Sequence, residues 1–252
     1  MPHFATHDGI KLAYHDEGDG PSVLFLHGFT SSTDGNWRQP GIWDAVLALG
    51  TRVIGLDARG HGDSDKPHDP PAYENQAMVR DVAALVDHLE LHDIALIGYS
   101  MGAATAVRFA ATDSRLRRLV LGGIGGRTQS WKTPTADPAR AKLANKMRMA
   151  VNASDPTTIE DRVARRIRRL MDARNNDIAA MSAILHADRA MGDAFDPTAI
   201  TVPTLVACGD EDVSPEDLAA AIPQGEAAVL PGDHEGVVIT PEFRDTIVRF
   251  LG

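Results

Sequence analysis

The stretch Gly98-Tyr99-Ser100-Met101-Gly102 constrains this chain more than any other. An apolar run at residues 94–97 leads into it and an alanine-rich run at residues 103–111 leaves it, so it reads as strand, sharp turn and helix with a serine at the apex. The G-x-S-x-G spacing has a steric logic. A residue held in so tight a turn has a strained backbone, and its flanking positions must be small if the new helix is to lie close against the strand. The serine hydroxyl then projects from the carboxyl end of a sheet, where α/β folds place their sites. The helix N-terminus beneath it favours developing negative charge.

The same rhythm runs on both sides of that turn. A short hairpin turning at Asp8-Gly9 comes first. Continuous apolar runs at residues 23–26, 53–56, 116–121 and 204–208, with a last run at 227–230, read as further strands, most of them buried on both faces. Residues 42–49, 75–89 and 241–251 read as helices, and a short helix opens at Ser214-Pro215. Residues 31–40 are polar and contain glycine, so they read as a loop. Residues 57–64, Asp57-Ala58-Arg59-Gly60-His61-Gly62-Asp63-Ser64, predict a tight hydrogen-bonded loop. Between residues 124 and 197 no strand pattern occurs, and helical stretches are expected at 138–151, 157–174 and 176–191. In the middle one Ile159, Val163, Ile167, Leu170 and Met171 form one apolar stripe, while Arg162, Arg165, Arg166, Arg168 and Arg169 read as its solvated face. The expected architecture is α/β: a mostly parallel, doubly wound sheet from residues 1–123 and 198–252, with a helical insertion at 124–197.

Composition narrows the partners. The chain has 252 residues, enough for one sizeable domain with an insertion. Its formal net charge of -10 argues against nucleic acid or an anionic membrane surface. The single cysteine, Cys208, lies in an apolar strand and reads as a packing residue. One cysteine excludes a disulfide within the chain and fits a reducing compartment. The first residues lack the basic-then-apolar pattern of a signal peptide, and no apolar run approaches the ~20 residues of a membrane span. The expectation is a cytoplasmic protein with no membrane partner. No cluster of side chains has metal-ligand spacing, so neither metal nor cofactor is expected.

A serine hydroxyl is a weak nucleophile and needs a base in reach, itself oriented by a third group. His234, on the loop after the last strand, can reach over the carboxyl edge of the sheet and is the candidate base. His61, at the same edge, is its rival. Asp212, on the loop after the preceding strand, is the candidate orienter, with Asp210 as rival. Taken in chain order, His27-Gly28-Phe29, Asp57-x-Arg59-Gly60-x-Gly62-x-Ser64, Gly98-x-Ser100-x-Gly102, Gly209-x-x-Asp212 and His234 span nearly the full length. With these residues the chain resembles the α/β-hydrolase superfamily, whose triad runs Ser, Asp, His. The resemblance implies that Asp212, three positions after Gly209, is the acid rather than Asp210, and that His61 is a loop residue. It implies an oxyanion hole made by the backbone N–H groups of Met101 and Phe29, with His27 bracing that turn. It also implies a helical cap at residues 124–197. The sequence departs from the superfamily's commoner Gly-His ending by placing Asp233 before His234.

The resemblance and the triad together lead to one expectation. Ser100, His234 and Asp212 hydrolyse carboxylic esters of small to medium apolar acyl groups through an acyl-enzyme, without a cofactor. A serine nucleophile argues against the relatives that open epoxides or displace halide, which use a carboxylate. Lactone or enol-lactone hydrolysis, carbon–carbon hydrolysis of ring-cleavage products and peracid formation remain open. So does a different class, a ligand receptor on a hydrolase fold. The expected partner is a small-molecule ester or lactone. Five of the eight methionines, Met147, Met149, Met171, Met181 and Met191, fall in the insertion. Met147 and Met181, with Trp37, Tyr99 and Trp131, are the candidate pocket residues. The alternative is that they pack as ordinary core.

Overall fold

The computed structural model describes residues 1–126, 138–187 and 194–252. Its strands are β1 (His3–Ala5), β2 (Lys11–Glu17), β3 (Ser22–Leu26), β4 (Arg52–Leu56), β5 (Ile94–Tyr99), β6 (Leu116–Gly122), β7 (Thr204–Gly209) and β8 (Gly225–Leu230). They form one sheet in the order β1-β2-β4-β3-β5-β6-β7-β8. The first two make the expected hairpin, and β2 lies antiparallel on β4. From β4 onward every pairing is parallel. The chain is therefore an α/β protein with a mostly parallel sheet, and the carboxyl ends of β3 to β8 bring their following loops to one edge.

Alternation along each strand builds two cores. Leu24 and Leu26 of β3 face a cluster with α2 (Ala77–His88) and α3 (Met101–Ala110), while Val23 and Phe25 face one with α1 (Ile42–Leu47). Successive side chains of a strand point to opposite faces, so continuous apolar runs are what a sheet covered on both sides requires. Between β6 and β7 come α4 (Pro138–Asn152), α5 (Arg162–Ala173) and α6 (Ile178–His186). After β7, α7 (Glu216–Ala221) joins the first core and α8 (Pro241–Leu251) the second. A third apolar cluster ties Val151, Met171, Met181 and Ile184 of the inserted segment to Tyr73, Met78, Phe29 and Met101. No described helix is long and apolar enough to cross a membrane.

Three local readings need correction. Residues 31–40 are not a plain loop, because Asp34–Arg38 winds into a π-helical turn. That turn carries Trp37 beneath the sheet, where its ring centroid lies 4.7 Å from that of Phe25. The middle inserted helix starts later than expected, at Arg162, because Pro156–Thr158 forms a separate 3₁₀ turn. Asp161 then caps the helix, accepting from the N–H groups of Val163 and Ala164 at 2.9 Å each. Nor does α5 divide cleanly into stripe and solvated face: Val163 is exposed and Arg168 is buried. The Arg168 guanidinium donates to the carbonyls of Ala150 (3.1 Å) and Ala153 (2.7 Å), satisfying the end of α4 where helix carbonyls lack partners.

Candidate active site

Ser100 joins β5 to α3 with φ 51° and ψ -109°, a conformation in which non-glycine residues are strained. The crowding around it explains its neighbours. A Cβ on Gly98 would stand 2.5 Å from the Gly102 carbonyl oxygen, and one on Gly102 would stand 2.1 Å from the Leu26 oxygen. The Ser100 N–H donates to the Gly122 carbonyl at 2.8 Å, tying the turn to the neighbouring strand.

The structure brings Ser100, His234 and Asp212 together. His234 Nε2 lies 3.0 Å from Ser100 Oγ, and its Nδ1 lies 2.7 Å from Asp212 Oδ2. A carboxylate can only accept, so Nδ1 carries the proton and Nε2 presents its lone pair to the serine hydroxyl. Asp212 follows β7 and His234 follows β8, and these parallel neighbours hold the two loops side by side. Asp210 does different work, its Oδ1 accepting the Gly232 N–H at 2.9 Å to pin the histidine loop to the acid loop. Asp233, the departure noted in the sequence, accepts the Gly236 N–H at 2.8 Å and closes the same loop. Burial would lower the His234 pKa. The hydrogen bond and charge of Asp212, with Glu235 and Asp233 nearby, outweigh it and hold the imidazole above its ordinary value.

Tyr99 is not a pocket wall. It is buried, and its hydroxyl donates to the His234 backbone carbonyl at 2.5 Å, so it props the histidine loop from below. Trp37 is not one either, being fully buried in the second core. Trp131 and Met191 lie outside the described residues. Met181 is fully buried in the cluster that contains Phe29 and Met101, and Met147 packs at its margin.

Phe29 packs in one apolar cluster with Met101, the residue after the serine. Met101 is the first residue of α3, so its N–H has no partner within the helix. The loop bearing Phe29 abuts the nucleophile: a Cβ on Gly28 would lie 3.6 Å from Ser100 Cβ. The Gly28 carbonyl accepts from His27 Nδ1 at 2.8 Å and from the Ser31 N–H at 3.1 Å. His27 Nε2 in turn accepts the Ala58 N–H at 3.0 Å, which assigns the neutral Nδ1–H tautomer. Burial lowers the His27 pKa in agreement with that assignment. Sequence reasoning missed Asn36, whose Oδ1 accepts the Gly28 N–H at 2.7 Å. No local pattern marks it, because its role depends on the π-helical turn.

The inserted segment reaches the same loops. Arg166 meets Asp233 at 3.1 Å. Arg174, just past α5, meets Glu235 at 3.4 Å and donates to Thr30 Oγ1 at 2.6 Å. Among the described residues no group of His, Cys, Asp or Glu side chains is arranged to hold a metal ion. The arrangement offers a hydroxyl, a base in contact with it and an anion orienting the base. Those are the parts needed for acyl transfer.

Comparison with known proteins agrees with the architecture. The family model described as alpha/beta hydrolase fold matches residues 21–224. A non-heme chloroperoxidase of Kitasatospora aureofaciens is 30% identical over all of this chain and 99% of its own length. A putative 2-succinyl-6-hydroxy-2,4-cyclohexadiene-1-carboxylate synthase of Bacillus subtilis is 41% identical, but over 45% of this chain and 41% of that protein. The enol-lactonase of Burkholderia xenovorans LB400 superposes over 99% of both chains with a TM-score of 0.68 at 24% identity.

Proposed function

Because this chain belongs to the alpha/beta hydrolase family, we propose that it is a serine hydrolase cleaving carboxylic esters of small to medium apolar acyl groups. The observation that carries this reading is the unbroken relay from Ser100 Oγ through His234 to Asp212, at 3.0 and 2.7 Å. In the proposed reaction Ser100 Oγ attacks the ester carbonyl while His234 Nε2 takes the hydroxyl proton. The developing oxyanion turns toward the Phe29 and Met101 N–H groups, each worth about 3 kcal/mol in comparable sites. His234 returns the proton to the leaving alcohol, and water, activated by the same imidazole, releases the acid. The inserted helices act as a cap that roofs the site and excludes water. Their apolar cluster with Phe29 and Met101 supports an apolar acyl preference.

The test is turnover of 4-nitrophenyl acetate by the purified protein and its Ser100→Ala variant. The variant should stay folded and lose activity on the ~10⁶-fold scale of unit-acting triads. Near-normal turnover by folded Ser100→Ala would overturn the mechanism. A pure ligand receptor would show no turnover even with Ser100 intact. The full-length likeness to a protein named a chloroperoxidase favours one second reading. Hydrogen peroxide replaces water as the nucleophile on the acyl-serine, releasing a peracid and the free hydroxyl. Peracid formed when peroxide is added during ester turnover would establish it, and hydrolysis unchanged by peroxide would exclude it.

A further inference from the structure

We infer that His61 is a positioning residue of the proposed oxyanion hole, holding the Phe29 backbone so that its N–H faces the reacting carbonyl. The inference rests on the hydrolase reading above. His61 lies in the glycine-rich loop after β4, is 1% exposed, and forms no part of the relay. Its Nε2 lies 2.5 Å from the Phe29 carbonyl oxygen and its Nδ1 lies 3.1 Å from that of Arg59. Burial, with His27 beside it, holds His61 down to about 3, so the ring is neutral and carries one proton. Both nitrogens face carbonyl oxygens, and with the proton placed on Nε2 the ring donates to Phe29.

The consequence lies in peptide geometry. A trans peptide points its C=O and N–H in opposite directions, so fixing the Gly28 carbonyl fixes the Phe29 N–H. His27 and the Ser31 N–H hold the Gly28 carbonyl, and His61 holds the next one, that of Phe29. Two consecutive carbonyls are thus tied, one by each of two buried imidazoles whose ring centroids are 5.0 Å apart. The need for this is local. Gly28 has no Cβ to resist rotation, so hydrogen bonds rather than sterics must keep the peptide between Gly28 and Phe29 from flipping and turning its N–H away from Ser100. Locking Phe29 from its carbonyl side restricts that flip.

The loop that presents His61 is itself stitched to the oxyanion segment. Asp57 accepts the Thr33 N–H at 2.8 Å and the Asp63 N–H at 3.0 Å, while Ala58 donates to His27. Gly62 is required there, since a Cβ would fall 1.9 Å from Asp57 Oδ2. The loop after β4 therefore serves as a jig for the loop after β3, and His61 is its innermost contact.

The experiment compares His61→Phe, which keeps the ring volume but removes the donor, with His61→Gln, whose amide can still donate to the Phe29 carbonyl. The loss expected from a misdirected amide is kcat down on the order of tenfold to a hundredfold in His61→Phe, short of the 10²–10³-fold seen when a donor is removed outright. KM should hardly change, and His61→Gln should recover most of kcat. Equal kcat in the two folded variants, or a KM effect without a kcat effect, would overturn the proposal. If His61→Phe does not fold, His61→Asn, too short to reach the carbonyl, takes its place against His61→Gln. Turnover of 4-nitrophenyl acetate by the unaltered protein tests the ester reading separately. Phosphorylation of Ser100 by diethyl 4-nitrophenyl phosphate, followed by intact mass, draws on the same amides whichever carbonyl compound the site takes. A rate unchanged in His61→Phe would refute the assignment even without ester turnover.

Discussion

Replacing Asp212 by Asn keeps the side-chain shape but lets an amide N–H face His234 Nδ1, favouring the wrong tautomer at the nitrogen that meets Ser100. A loss of about 10⁴ in kcat is expected, as in serine proteases altered the same way. Asp210→Asn should cost far less, because an amide oxygen can still accept the Gly232 N–H. Steady-state kinetics of the two variants check this, and a reversal of the two effects would move the acid assignment to Asp210. The charges flanking His234 set a second expectation. Its pKa is raised in the folded protein, so activity should appear as pH rises through a value above the ordinary 6.5. Asp233 and Glu235 both contribute to that rise. The double variant Asp233→Asn/Glu235→Gln removes two negative charges, leaves Arg166 and Arg174 unpaired, and should shift the acid limb of kcat/KM to lower pH. An acid limb that stays in place would show that Asp212 alone sets the titration.

Helix α5 shows how an element can be legible in period yet not in partnership. Its apolar spacing is visible in the sequence, and so is its run of arginines, but nothing local says that Arg168 faces the open end of α4. There the guanidinium meets the carbonyls of Ala150 and Ala153 and the carboxylate of Asp172, using the fan of donors that suits arginine to a helix terminus. Arg168→Met should leave two carbonyls without donors and destabilise the protein by about 2–4 kcal/mol, as measured by urea unfolding. A change below about 0.5 kcal/mol would mean that water replaces the guanidinium at no net cost. Ser100, Asp212 and His234 were legible for the opposite reason. Each sits at a fixed step from a strand end, and the elbow glycines are dictated by backbone contacts within one turn. Asn36 lies only eight residues from Gly28 but reaches it through the π-helical turn, and His61 meets Phe29 from another loop, 32 residues on, so only the assembled edge shows either contact. Trp37 misled because an aromatic in an aperiodic stretch suits a pocket or a core equally, until the π-helical turn places it against Phe25.

At the scale of the molecule, a chain with net charge -10 brings an arginine of one inserted helix, α5, and the arginine just after that helix to the loop that bears His234. The sheet supplies a rigid edge, and the inserted segment meets it through an apolar cluster and through the pairs Arg166–Asp233 and Arg174–Glu235. Exposed pairs of this kind contribute at most about 1 kcal/mol each, so the apolar cluster does most of the holding. Their larger effect is on selectivity, since each of these two arginines beside the histidine loop already has a carboxylate. An anionic substrate approaching it meets the long-range repulsion of the whole chain and competes with Asp233 or Glu235 for a cation. The neutral 4-nitrophenyl acetate should therefore show a kcat/KM about tenfold above that of the anionic mono-4-nitrophenyl succinate at low salt. The gap should narrow at 1 M salt, where charges are screened beyond about 3 Å. Glu235→Gln should narrow it too, by freeing Arg174 to pair with the substrate carboxylate. If the unaltered protein instead prefers the anion at low salt, one of these arginines turns to the substrate despite its pairing. The apolar-ester reading would then give way to a carboxylate-bearing substrate such as a ring-cleavage product.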